Sequence, residues 1–270
     1  MSKLAQAVQE DLLVAIDRDD LMLPTLPEVA LEIRQAAEDS EVSVSELSRV
    51  VGRDPALSAR LIKVVNSPLL RSQVEVTSLQ SAITRLGVNY TCNLAIGLVI
   101  EQIFNARLPV VEAKLREIWA TSVEVAGIGY ELCRRQAHLK PDQGALAGMV
   151  HLIGVLPILT YAEENNELLS DPVCLNHVIE KIHPVIGARI LKSWDFPRAL
   201  SDVPLLYLDY QREQAAADYS DVVQIASLLN TPIDRRPSIS KLPSYERLGM
   251  DRLDPPLLGS ELEDARVMLA

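Results

Sequence analysis

From Gly144 to Ala162 the chain carries no formally charged side chain. A run of that length has two physical homes, the hydrocarbon of a bilayer or the centre of a helical protein. His151, Gly154 and Pro157 lie inside the run and Glu163 and Glu164 close it, which argues against a lipid-facing span. A buried helix over about 143–160 is therefore expected, surrounded by other helices.

The rest of the chain supplies those helices. Ser43 and Glu46 have the spacing of a capping box, and Asp54-Pro55 pairs an N-cap with proline at the first helical position. The helix that follows presents Leu57, Leu61, Ile62 and Val65 on one face. Asn66-Ser67-Pro68 stops it, because proline disfavours helix at the residue before it. Thr77 and Gln80 read as another capping pair, and Gly87 as the C-terminal cap of that helix. Pro24 and Pro27 bracket a start after which Val29, Ile33, Ala36 and Ala37 share a face. Longer helices are expected over about 89–104, 111–138, 174–194 and 219–229. No useful strand alternation and no repeat appears, so the fold class is all-α. Pro109 marks a boundary, giving three expected parts: residues 1–108, 109–230, and a Pro-rich extension over 231–270 packed on the others.

Composition narrows the function classes. The hydrophobic fraction of 48% is enough for a core, and aromatic residues at 4% leave its construction to Leu, Val, Ile and Ala. A net charge of −11 repels phosphate backbones and anionic lipid, so nucleic acid and membrane are not expected partners. The cations Arg134, Arg135, His138 and Lys140 form a local patch that suits a helix C-terminus. Cys92, Cys133 and Cys174 are far apart among apolar neighbours, which fits buried thiols in a reducing compartment. Glu10, Asp11, Asp17, Asp19 and Asp20 around an amphipathic pattern do not make a signal peptide.

Three segments of the first part read "LPTLPEVALEI", "VVGRDPALSARLIKVVNSPLL" and "VTSLQSAITRLGVNYTCNLAIG". Three of the second read "IWATSVEVA", "GALAGMVHLIGVLPIL" and "HPVIGARILKSWDFP". In order and spacing they resemble the HDOD family, the HD-related output domains of bacterial signalling proteins, over roughly 20–230. The resemblance implies an HD-domain-like helical bundle with an N-terminal helical subdomain. It also implies a cytoplasmic, non-catalytic role beside two-component or second-messenger pathways. The partners it implies are a kinase, a response regulator or a cyclic-dinucleotide enzyme. No receiver, GGDEF or kinase segment is legible, so the signal is expected to pass by non-covalent binding. The groove between the two helical parts, near Pro109, is the expected contact surface.

Catalytic relatives of that family hold metal through a histidine, a His-Asp pair and a distant aspartate, which activate a water. On the resemblance, Thr121 stands at the first histidine and the pair reads His151-Leu152. His183 matches a further histidine, and Asp221 stands where the last carboxylate would be. Leucine cannot coordinate a cation and threonine is a poor ligand, so Thr121, His151, Leu152, His183 and Asp221 are expected to outline a vestigial pocket with no cofactor. His151, His183 and Asp221 still form, on paper, a two-histidine, one-carboxylate set. The alternative is thus a residual metal-dependent phosphohydrolase or a small-ligand sensor. No nucleophile elbow, phosphate loop or dinucleotide fingerprint is present.

Overall fold

The computed structural model describes residues 3–18, 23–38, 42–70, 74–252 and 260–269, so Asp19 and Asp20 lie outside the described residues. Those residues contain helices and turns and no strand. The N-terminal helices are α1 (Lys3–Asp17), α2 (Glu28–Glu38), α3 (Val44–Val51), α4 (Pro55–Val65), α5 (Leu79–Leu86) and α6 (Val88–Ile100). Next come α7 (Pro109–Arg134), α8 (Pro141–Val150), α9 (Val155–Glu163), α10 (Asn166–Leu169) and α11 (Pro172–Ser193). The last are α12 (Arg198–Ser201), α13 (Val203–Leu206), α14 (Tyr219–Asn230), α15 (Pro243–Arg247) and α16 (Ser260–Arg266).

Local chemistry sets most of the helix ends. Ser43 and Glu46 close the capping box reciprocally, with Ser43 Oγ accepting from Glu46 N at 3.1 Å and Glu46 Oε2 accepting from Ser43 N at 3.1 Å. Asp54 Oδ1 accepts from Ala56 N and Leu57 N at 2.9 and 3.0 Å. Gly87 takes φ +84°, a left-handed conformation that a side chain would resist, and so separates α5 from α6. One start is displaced from its expected place. The cap of α5 is Ser78, whose Oγ accepts from Ser81 N at 3.1 Å, not the Thr77–Gln80 pair. Ser78 has the extended backbone a cap requires, and the helix begins one residue later.

The uncharged run forms two helices, α8 and α9, where one continuous helix was expected. The chain turns at 151–154 through i→i−3 bonds such as Ile153 N to Val150 O and Val155 N to Leu152 O. Pro157 has no N–H for the Ile153 carbonyl, so an unbroken helical ladder is not available there. Tertiary contact fixes the break: a Cβ on Gly154 would lie 2.0 Å from the His183 carbonyl oxygen. The 141–163 stretch is long and apolar enough to cross a membrane, yet 83% of its apolar window is buried inside the protein. It packs against α6, α7 and α14. Gly148 lets α8 approach α7 closely, since a Cβ there would meet Ala126 Cα at 2.4 Å.

Pro109 starts α7 as its first residue, with Leu108 as the cap. One apolar core runs past the expected boundaries, from Leu12, Ile33 and Leu61 through Ile128 and Met149 to Leu248 and Met268. The N-terminal helices dock on it through α2 and α6 and through Trp194, whose Nε1 donates to Pro24 O at 2.9 Å. Arg34 adds a bond to the Trp194 carbonyl. All three cysteines are free and buried.

Candidate functional site

Two histidines meet beneath α13. His151 caps α8 and is 1% exposed, and His183 lies inside α11, immediately before the helix-internal Pro184. Both Nδ1 atoms face backbone carbonyls, His151 at 2.6 Å from Gly148 O and His183 at 2.7 Å from Ile179 O. A carbonyl can only accept, so each ring carries its proton on Nδ1. The lone pair of His183 Nε2 then accepts from the Tyr207 hydroxyl at 2.8 Å. The Tyr207 ring meets His151 edge-on, with centroids 5.1 Å apart and planes at 88°. Burial depresses the His151 pKa to about 4, against the smaller opposing effect of the Gly148 carbonyl. Burial likewise lowers His183, and it pushes the Tyr207 phenol well above its ordinary value. The cluster is neutral.

Asp221 takes part in a different cluster. It is 1% exposed at the start of α14, where it forms a capping box with Asp218. Arg247 approaches through Nη2 at 2.6 Å from Oδ1 and Nε at 2.9 Å from Oδ2. Arg212 Nη2 donates to Oδ1 at 2.6 Å, and Gln214 Nε2 donates to Oδ2 at 2.9 Å. Arg212 also pairs bidentately with Asp218, at 2.7 and 2.6 Å. Burial by itself would raise the Asp218 carboxyl, but the Arg212 hydrogen bonds hold it below its ordinary value. The Asp218 and Asp221 carboxylates in turn hold the Arg212 guanidinium more firmly protonated than usual. Gln224, one turn after Asp221, joins the two clusters: its Nε2 donates to Tyr207 O at 2.8 Å and to Asp209 O at 3.0 Å. Its Oε1 accepts from Ser244 at the start of α15.

The structure therefore brings His151 and His183 together and directs Asp221 into the arginine cluster. Thr121 is half-buried on α7, where its Oγ1 donates to Glu117 O at 3.0 Å one turn earlier. Leu152 packs half-buried against the apolar core. Among the described residues no three His, Cys, Asp or Glu side chains come together as a metal-holding group. The donor set does not suit a catalytic metal. One imidazole lone pair is committed to Tyr207, the carboxylate is committed to two guanidinium groups, and Leu152 offers no ligand. Tyr207, Arg212, Gln224 and Arg247 were not singled out from the sequence. Tyr207 lies within "DVPLLYLDYQ", where nothing local marks it.

Two other expected features also settle. Arg134 and Arg135 pair with Glu131 on their own helix, and Arg135 also pairs with Glu261 of α16. His138 Nε2 lies 2.8 Å from Ala217 O, so Arg134, Arg135 and His138 all make internal contacts. Near Pro109 there is a cavity of about 300 Å³, lined by Val110, Lys114, Leu159, Leu169 and Leu175. It opens among α7, α9, α10 and α11, within the second part of the chain. The groove between the two parts is elsewhere, a cleft of about 210 Å³ between Arg34 and Ile96 on one side and Leu146, Phe196 and Leu200 on the other.

Over residues 23–206 the sequence matches the HDOD domain family. The chain belongs to this family. A solved structure from Shewanella amazonensis SB2B, described provisionally as a metal-dependent phosphohydrolase, is 28% identical with a TM-score of 0.85, covering 98% of this chain and 97% of that one. An HDOD domain protein with unknown function from Geobacter sulfurreducens is 19% identical with a TM-score of 0.69, covering 99% of this chain and 97% of its own. A protein from Marinobacter aquaeolei VT8, provisionally described as acting in signal transduction, is 19% identical with a TM-score of 0.62, covering 98% of this chain and 64% of its own. A curated relative from Treponema pallidum (strain Nichols), described as uncharacterized, is 22% identical over 225 residues, which is 78% of this HDOD chain. The chain spans 42% of that relative's length. Tyr207, Arg212, Asp221 and Arg247 all follow the stretch matched to the HDOD family.

Proposed function

We propose that this HDOD protein is a non-catalytic adaptor in signal transduction, working by protein–protein contact with a kinase, a response regulator or a cyclic-dinucleotide enzyme. The observation that carries this reading is that the ligand-type side chains are drawn to different partners. His183 Nε2 accepts from Tyr207, and Asp221 is bound by Arg212 and Arg247. Metal-assisted hydrolysis needs anionic oxygens and free imidazole lone pairs converging on one point, and here they diverge. The descriptions of the Shewanella and Marinobacter proteins mark the two sides of the choice, hydrolase and signalling protein. The side-chain geometry of this chain favours the second.

Contact is expected at the start of α7, where Val110 is 62% exposed and Val173, at the start of α11, is 80% exposed. Exposed aliphatic side chains beside a groove are the usual sign of a partner surface. Two measurements test the reading. Protein purified without chelators and dialysed against manganese, iron or zinc should retain no stoichiometric metal and hydrolyse no phosphodiester. Crosslinking in the native cell should capture a signalling protein, and Val110→Glu with Val173→Glu should weaken that capture. Stoichiometric metal that disappears in His151→Ala would overturn the adaptor reading.

A further inference from the structure

A second site stands at the far end of α4, away from the histidines. The helix ends at Val65, and Asn66 reaches across to the segment after the turn: its Nδ2 donates to Val76 O at 2.7 Å and its Oδ1 accepts from Val76 N at 2.9 Å. This double bond to one residue's backbone fixes the strip around Glu75 as a wall opposite α4. Between that wall, α4 and the C-terminal residues Val267 and Met268 lies a cavity of about 490 Å³. That volume is within the usual range for small-molecule pockets.

The lining is chemically specific. Ser67 is 8% exposed and its backbone is satisfied, N to Val64 O and O to Leu70 N, each at 3.0 Å. Its hydroxyl, however, is buried without a hydrogen-bond partner. A buried hydroxyl left unpaired costs on the order of 1–3 kcal/mol, so a site that retains one is prepared for a group that will pair with it. Lys63 stands four residues before Ser67, on the same side of the helix end, and Glu75 is on the facing wall. Among the described residues neither Lys63 nor Glu75 has an ion-pair partner. Ile62, Pro68 and Met268 supply the apolar surface between them.

We propose that this cleft binds a free α-amino acid with an aliphatic side chain. The Lys63 ammonium and the Ser67 hydroxyl donate to its carboxylate, the Glu75 carboxylate accepts from its ammonium, and the side chain rests on Ile62 and Met268. The pairing needs one cation, one anion and one hydroxyl around an apolar floor, which is the set the cleft presents. This site is independent of the adaptor reading, since it shares no residue with the histidine cluster or with the Val110 surface.

The test is titration calorimetry on the full chain with L-leucine, N-acetyl-L-leucine and L-leucinamide. L-leucine should bind saturably at millimolar concentration or below, and both derivatives should bind at least about tenfold more weakly, each having lost one charge-assisted contact. Lys63→Ala and Ser67→Ala should each weaken L-leucine by about tenfold. Ser67→Ala should leave the ligand-free Tm unchanged or raised, because it removes an unpaired hydroxyl, whereas a structural serine would lower it. Glu75→Gln should weaken L-leucine and leave the acetylated form unaffected. Absence of saturable binding across the three compounds would overturn the proposal, as would binding indifferent to both Lys63→Ala and Ser67→Ala.

Discussion

The two buried polar clusters on either side of Gln224 meet the same problem in opposite ways. Around Tyr207, the histidines are taken out of water by remaining neutral, with carbonyls accepting from both Nδ1 atoms and a phenol donating to His183 Nε2. Around Asp221, the carboxylate stays charged and is compensated by two guanidinium groups whose side chains are themselves largely buried. A neutral cluster tolerates apolar walls such as Leu152, whereas a charged one requires partners brought from distant parts of the chain. The difference also explains why the two do not merge into a metal centre. The imidazoles have no anion beside them, and the anion has already been neutralised.

The largest expected effect comes from breaking the charged side. Asp221→Ala leaves Arg247 without its anion and Arg212 with Asp218 alone, and urea denaturation should show a loss of about 3–5 kcal/mol. Replacing Asp221 and Arg247 together with apolar residues should cost less than Asp221→Ala alone, because Arg212 keeps Asp218 and Arg247 is no longer left unpaired. An equal or larger loss in the double variant would mean that the cluster stabilises by more than compensation.

Acid separates the clusters. The His151 imidazole titrates at about 4 in the folded chain against about 6.5 when unfolded, so the unfolded chain binds the extra proton between those values. Stability should therefore fall as pH is lowered from 6.5 towards 4, by about 3 kcal/mol at 1.36 kcal/mol per pH unit. His183 adds to this loss in the same direction. Stability curves measured between pH 7 and 4 should flatten in His151→Leu. Asp218 behaves in the opposite sense: its depressed carboxyl stabilises above the unfolded value, and that contribution is lost only at more acid pH. The neutral cluster thus fails first on acidification.

Two smaller effects sharpen the neutral side. Gly154→Ala would place a Cβ 2.0 Å from the His183 carbonyl, and the required backbone shift should cost about 1–3 kcal/mol in thermal unfolding. Tyr207→Phe removes only the hydroxyl on His183 Nε2, with an expected loss of about 1 kcal/mol by urea denaturation. If Tyr207→Phe proved as costly as Asp221→Ala, the contrast between the clusters would not hold.

Features confined to a few neighbouring residues were legible in the sequence. The Ser43–Glu46 box, the Asp54-Pro55 start and the Gly87 stop each act across three or four positions, and each stands where local chemistry put it. The start of α5 was misplaced because Thr77 and Ser78 are chemically equivalent caps, and the backbone direction chooses between them. The break between α8 and α9 was hidden for a related reason. His151, Gly154 and Pro157 were visible, but the approach of the His183 carbonyl to Gly154 needs α11 in place. His151 and His183 stood out in the sequence as candidates, yet Tyr207 follows His183 by 24 residues and Arg247 follows Asp221 by 26. No periodicity reaches that far.

The uncharged run from Gly144 to Ala162 shows the division most plainly. By itself the sequence determined that this stretch must be hidden from water, that helices must surround it, and that the chain belongs with helical HDOD domains. Hydrophobic burial and capping act locally or without direction, so composition and spacing carry them. Only the tertiary structure decided that His183 turns its lone pair to Tyr207 and that Asp221 goes to Arg212 and Arg247. Hydrogen bonds and ion pairs are directional and short-ranged, and their partners are chosen when distant segments meet.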